Sequence, residues 1–353
     1  MEFSISNRGK KILTIKNKNI TELTNTEDVE ILNCESCTSL TSIPYIVGLK
    51  KLYCYGCTSL TRIPNIVGLK GLECNECILL TSISYIKGLD FLYCNGCTSL
   101  TSIPNIPGLI QLECSWCTSL TFIPNIEGLE YLYCNGCTSL TSISNIVGLK
   151  KLFCGDCTSL TSIQNIEGEG LKKLWCRGCT SLTSISNIVG LEDLYCGDCT
   201  SLTSIPNIVG LERLYCGDCT SLTSIPNIEG LKRLDCYRCT SLTSIPNIKG
   251  LKFLDCYGCT SLTSIPNIEG LERLWCNGCP WIDPDQDRMN KLIKLQKWFY
   301  RYLLSIKIYK FVSPFKEFWF SPDGPGYRAA IRRLNKRKLE TCKNESCKKK
   351  IIL

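Results

Sequence analysis

Histidine is missing from all 353 residues. The chain alone therefore builds no cysteine–histidine dyad, no Ser-His-Asp triad and no zinc site of mixed cysteine and histidine ligands. Long hydrophobic runs are missing as well, since no apolar stretch approaches the roughly 18 residues that a bilayer span needs. The first residues, Met1-Glu-Phe-Ser-Ile-Ser-Asn-Arg, carry no apolar segment ahead of a small-residue cleavage site. No secretory signal is read there, and an intracellular, cytoplasmic setting is expected. Acidic charge is scarce at one end only. From Pro280 onward 18 Lys or Arg face 7 Asp or Glu, a net of +11 in a chain of net +8, which leaves residues 1–279 near −3.

Cysteine, by contrast, is abundant, with 28 in the chain. In a secreted protein such a count suggests a disulfide scaffold. In a reducing compartment the side chains stay as thiols unless a metal takes them. Their placement is regular. The pattern L-x-x-L-x-C-x-x-C-T-S-L-T-S-I-P-N-I-x-G recurs from Val29, Leu49, Leu69, Leu89, Leu109, Leu129 and Leu149, then from Leu171, Leu191, Leu211, Leu231, Leu251 and Leu271. The period is 20 throughout, apart from a two-residue insertion around Glu169-Gly170. Twelve full units and one partial unit, ending at Cys279, hold 26 of the cysteines.

A 20-residue unit has room for one short strand and a return, and no room for a full helix. Apolar residues at positions 4 and 6 alternate as in a strand. The Thr-Ser-Leu-Thr-Ser-Ile-Pro-Asn-Ile return has apolar groups three apart and a proline that opposes a helix. Glycine at position 20 supplies a turn. No unit buries its own apolar edge, but stacking does, with parallel strands about 4.8 Å apart. Thirteen coils then make a ribbon on the order of 60 Å long, with positions 1, 4, 6, 9, 12, 15 and 18 facing inward.

The pattern resembles the leucine-rich repeat, L-x-x-L-x-L-x-x-(N/C)-x-L. In one unit the match runs through Leu89, Leu92, Cys94, Cys97, Leu100 and Ile103. The 20-residue length and the Ile-Pro-x-Ile resemble the short repeats of bacterial effector proteins. The near-identical Cys-Thr-Ser-Leu-Thr-Ser-Ile copies are similar to leucine-rich proteins of giant DNA viruses, which would make the partner a host protein. This chain departs from the pattern with cysteine at position 6 and leucine at 12 instead of 11, which leaves the turn after the strand open. The resemblance implies a leucine-rich repeat solenoid with a parallel β-sheet on its concave face, extended convex returns and a protein partner. The 74 residues after Cys279 are too few for the ubiquitin-ligase domain of the effectors, so that activity is not carried over. No enzyme activity, cofactor or metal is expected.

Both cysteine columns point inward in this arrangement and pack as small hydrophobes. The rival reading uses each Cys-x-x-Cys for metal or redox chemistry. Against it, one cysteine of each pair lies within a strand, and thirteen pairs do not share four-cysteine sites evenly. Variation among the units concentrates at positions 2, 3, 5, 7 and 8, the outward side of strand and turn. Position 5 carries Tyr53, Tyr93, Tyr133, Phe153, Trp175, Tyr195, Tyr215 and Trp275, interrupted by Glu73, Glu113, Asp235 and Asp255, and Trp116 at position 8 adds to it. Such aromatic surfaces suit protein recognition, although aromatics also favour strands for their own sake. Basic residues at position 3 (Lys51, Lys151, Lys173, Arg213, Arg233, Arg273) have acidic neighbours in Glu130, Glu192, Glu212 and Glu272, which argues against a polyanion groove.

The ends differ from the repeats. Residues 1–28 read as an N-terminal cap holding a degenerate first coil, 29–279 as the solenoid, and 280–353 as a helical cap with a basic tail. Asp283 offers helix N-cap chemistry, and Leu292, Leu295, Phe299, Leu303 and Ile306 recur at helical spacing. Residues 328–353 hold ten Lys or Arg against Glu340 and Glu345, a composition suited to nucleic acid, an anionic membrane or a targeting receptor.

Overall fold

The computed structural model describes residues 2–5, 11–24, 26–163, 166 and 170–280. The C-terminal helical cap and basic tail expected from the sequence lie outside the described residues.

Each coil contributes one three-residue strand at positions 3 to 5, where side chains alternate between core and solvent. Leu52 is buried between Lys51 and Tyr53, and Leu132 between Tyr131 and Tyr133. These strands join one 15-stranded sheet, parallel in register, so that Leu132 pairs with Leu112 on one side and Leu152 on the other. At the N-terminal end Lys11–Thr14 pairs in parallel with Ile31–Asn33, and Glu2–Ile5 adds the sheet's one antiparallel strand. Leu13 and Ile15 of that region are fully buried. The returns pair only in places, as between Phe122–Ile123 and Ser142–Ile143. Among the described residues there is no helix. The structure is a parallel β-solenoid of about thirteen 20-residue coils.

The inward set read from the pattern is the core. In the unit from Leu49, for example, Leu49, Leu52, Cys54, Cys57, Leu60, Ile63 and Ile66 all have no exposed surface. The two-residue insertion falls in a return, ahead of position 1. Lys151 to Phe153 therefore stays in register with Lys173 to Trp175, and the sheet does not register the extra length.

The turn left open by the sequence is now defined. Position 8 of all thirteen units takes a left-handed backbone, with φ between 54° and 78°. That conformation swings the chain out of the strand and aims position 9 back into the core. Glycine adopts it freely, whereas Glu76, Trp116 and Arg238 adopt it against a steric cost. Among the described residues a second left-handed turn recurs at position 20, as at Gly148 (φ 88°).

These features separate two kinds of substitution. Leu132→Ala opens a cavity in the column of leucines and is expected to cost about 2–5 kcal/mol. A Cβ at Gly148 would meet nothing within 4 Å, so Gly148→Ala is expected to cost only the left-handed strain, about 1–2 kcal/mol. Thermal unfolding of the two variants checks the order, and equal shifts would contradict it.

Candidate interaction face of the sheet

The site begins with how the cysteines are used, because they set what the outer face has left to do. All 26 cysteines of the repeats are buried and unpaired. From the second coil on, position 9 donates its thiol to the backbone carbonyl of position 6 in the preceding coil. Cys97 donates to the Cys74 carbonyl at 3.0 Å, Cys117 to Cys94 at 3.0 Å and Cys137 to Cys114 at 3.1 Å. Twelve such bonds, all between 3.0 and 3.2 Å, run the length of the solenoid. The position-6 carbonyl also accepts the position-9 backbone N–H of its own coil in nine coils, as from Cys97 to Cys94 at 3.3 Å, so the Cys-x-x-Cys spacing closes the turn within a coil and links it to the next. Among the described residues no three or more histidine, cysteine, aspartate or glutamate side chains are grouped to hold a metal ion.

The position-6 thiols are held in the protonated form. In Cys54, Cys74, Cys94 and Cys114 the adjoining thiol of the next coil is the main cause and burial the second, and both push the thiol up. Burial alone is the largest cause at Cys276, pushed up to about 12. A buried thiol is a poor nucleophile and a poor metal ligand until it loses its proton.

With the cysteines inside, the outward residues at positions 3 and 5 form two parallel columns on one face of the sheet. The nine aromatic residues singled out in the sequence do not form one group. Tyr133, Phe153, Trp175, Tyr195 and Tyr215 sit on successive strands in register. Their ring centroids follow one another at 4.9, 5.1, 4.4 and 4.4 Å, with the first and last pairs stacked. Strand spacing of about 4.8 Å matches the separation that aromatic pairs favour, so one ring per strand builds a continuous ladder. The ladder is then extended by cations. The Arg233 guanidinium lies 5.3 Å from the Tyr215 ring and 5.8 Å from Phe253, and Arg273 lies 5.6 Å from Phe253.

The remaining four stand apart. Tyr53 and Tyr93 are separated by Glu73, and Trp275 follows Asp235 and Asp255. Trp116 lies in the turn, more than half exposed, with its indole over Gly136 so closely that a Cβ there would meet Trp116 Cε3 at 2.4 Å.

Two sets of residues were not picked out in the sequence. Asp193 at position 3 is fully buried on this face, bridged by Arg213 through its Nε and Nη2 and by Lys173 Nζ at 3.3 Å. The signal was present, since Asp193 is the only acid in the position-3 column and lies between Lys173 and Arg213. At position 7, the Asn75 side-chain carbonyl accepts from the Asn95 backbone N–H at 2.7 Å. Asn95 does the same for Ser115 at 2.8 Å, and Asn135 for Gly155 at 2.8 Å. The recurrence of asparagine at that position was its trace.

No family model and no curated protein matches this sequence. Among solved structures, the chain is similar to a leucine-rich repeat protein from Bacteroides ovatus. Identity is 17%, the TM-score is 0.43, and the match covers 82% of this chain and 95% of that one.

The pH response of the core follows from the thiols. Below about pH 8.5 the position-6 thiols keep their proton in both the folded and the unfolded chain, and stability is flat with respect to them. Above it the unfolded chain releases protons that the raised position-6 thiols retain, so their contribution to stability is lost as pH rises. Urea unfolding under reducing conditions is expected to show a midpoint that falls steeply between pH 8 and pH 10, and a flat profile would contradict the buried-thiol account. Separately, Arg213→Ala strands part of the Asp193 carboxylate without a donor and is expected to cost about 1–3 kcal/mol. Unchanged amide protection in the coils around residues 193 and 213 would show that this triad holds nothing.

Proposed function

We propose that this protein is a non-enzymatic scaffold that binds a protein partner on the outer face of its long sheet, the concave face in a leucine-rich repeat solenoid. The observation that carries the reading is the aromatic ladder from Tyr133 to Tyr215. Stacking covers the faces of these rings. It leaves their outer edges to solvent, and Trp175 stays 41% exposed at the middle of the row. Tyrosine and tryptophan held rigid by their neighbours lose little entropy on binding and make effective anchors. The mixed charge beside them, with Lys150–Glu130, Lys172–Glu192 and Lys232–Glu212 ion pairs between neighbouring coils, suits a polar rim better than a polyanion track. Among the described residues no helix is long and apolar enough to cross a membrane.

The test compares proteins captured from cell lysate by the intact chain and by a Phe153→Ser, Trp175→Ser, Tyr195→Ser triple variant whose fold is verified by circular dichroism. Loss of specific partners by tenfold or more is expected, since anchors of this kind contribute about 2 kcal/mol or more each. Equal recovery of the same partners by both proteins would refute a role for the ladder.

A further inference from the structure

The other half of the sheet face has a different chemistry, and its most distinctive feature is a missing side chain. The position-3 column carries a side chain at every coil except at Gly71. Lys51 and Phe91 stand on either side of Gly71, and Glu73 follows two residues later on the same face. The gap is a notch of about 390 Å³ with Gly71 and Leu72 at its base. Tyr53 and Tyr93 form two walls with Glu73 between them, and Phe91, its ring 6.5 Å from that of Tyr93, makes a third. Lys70 and Asp90 close the rim as an ion pair at 3.3 Å.

The aromatic and acidic groups of the notch favour the same guest. Tyr53 and Tyr93 belong to strands two apart, a separation of about 9–10 Å. Glu73 stands on the strand between them, so a cation held at its carboxylate has an aromatic residue on either side, and aromatic faces attract positive charge within about 6 Å. Glu73 supplies the countercharge, steered by Asn75, whose side-chain amide donates to it at 3.3 Å. Burial raises the Glu73 carboxyl and Glu35 raises it further; the Asn75 hydrogen bond opposes this, and Glu113 adds to the rise. The carboxylate thus sits in a negative local field that an entering cation relieves. Lys51 is the one opposing group. Its Cγ would meet a Cβ on Gly71 at 3.9 Å, so its stem leans over the base of the notch.

We propose that this notch is a cation-recognition site that takes an alkylammonium group, presented as the lysine side chain of a protein partner. The ammonium lies against Glu73 between Tyr53 and Tyr93, and the methylene stem packs on Phe91. Only the source of the lysine rests on the partner-binding reading. The chemistry of the notch is independent of it and of the aromatic ladder.

Gly71 makes the test clean. It lies within a strand, its φ is outside the left-handed region, and a Cβ there meets only the Lys51 stem at ordinary contact distance. Gly71→Leu therefore fills the notch without disturbing the coil. The full chain is titrated at constant ionic strength with N-acetyl-lysine-N-methylamide, with its ε-trimethylated form, and with the uncharged norleucine analogue. Aromatic ring resonances are followed by NMR. Saturable shifts at Tyr53, Phe91 and Tyr93 are expected for both cations and absent for norleucine. Glu73→Gln is expected to weaken binding about tenfold, Lys51→Ala to tighten it, and Gly71→Leu to abolish it with an unchanged unfolding temperature. Equal shifts with norleucine, undiminished binding by Gly71→Leu, or no saturable shift would each overturn the proposal. Trp175→Ser leaves the titration unchanged, so failure of the ladder as a partner surface and failure of the notch are read separately.

Discussion

The fold depends on one buried carbonyl per coil. After its three-residue strand the chain must turn inward to close a circuit of only 20 residues, and the turn takes the carbonyl of position 6 out of the sheet ladder and away from water. In nine coils that carbonyl accepts the position-9 backbone N–H of its own coil, as from Cys97 to Cys94 at 3.3 Å. The thiol at position 9 of the next coil adds a second donor, which ties one coil to the next while remaining small and apolar enough for a dry core. Cysteine meets both demands at once. The left-handed residue at position 8 is the backbone counterpart of the same requirement, since it aims that thiol at its acceptor.

Seen this way, the conserved spacing within each coil and the freedom outside it are two sides of one arrangement. The inward residues satisfy each other coil to coil, so the core does not dictate which side chains stand on the outer face. The outer columns are then free to vary in chemistry along the length. The face accordingly divides into a tyrosine–carboxylate portion around Tyr53, Glu73, Tyr93 and Glu113, and an aromatic–cation portion from Tyr133 to Arg273.

Much of this was legible in the sequence, and the reason is periodicity. A strict 20-residue period fixes which residues lie beside which, so the inward set, the parallel register and the columns could be read from the pattern. Three things could not. The left-handed turn at position 8 was hidden because Glu76, Trp116 and Arg238 are not residues that favour it. The grouping of the nine aromatics was hidden because a column assigns neighbours without saying whether their rings meet; five do, while Trp116 covers a glycine in the turn. The notch was hidden because it is made by the side chain that Gly71 lacks, and a motif search looks for residues that are present. The helical spacing from Leu292 to Ile306 lies outside the described residues.

The near-identity of the coils carries a consequence for assembly. Because positions 10 to 18 scarcely differ, a growing stack gains almost the same core contacts if it skips a coil and accepts the next one, a misalignment typical of repeat proteins. What distinguishes the correct neighbour is the outer, unrepeated layer. Trp116 fits over Gly136, where any side chain would collide with the indole, and Tyr237 fits over Gly217 in the same way. Asp193 is neutralised only between Lys173 and Arg213. These pairs act as addresses: they add nothing to the core, but they tell each coil which other coil to sit beside.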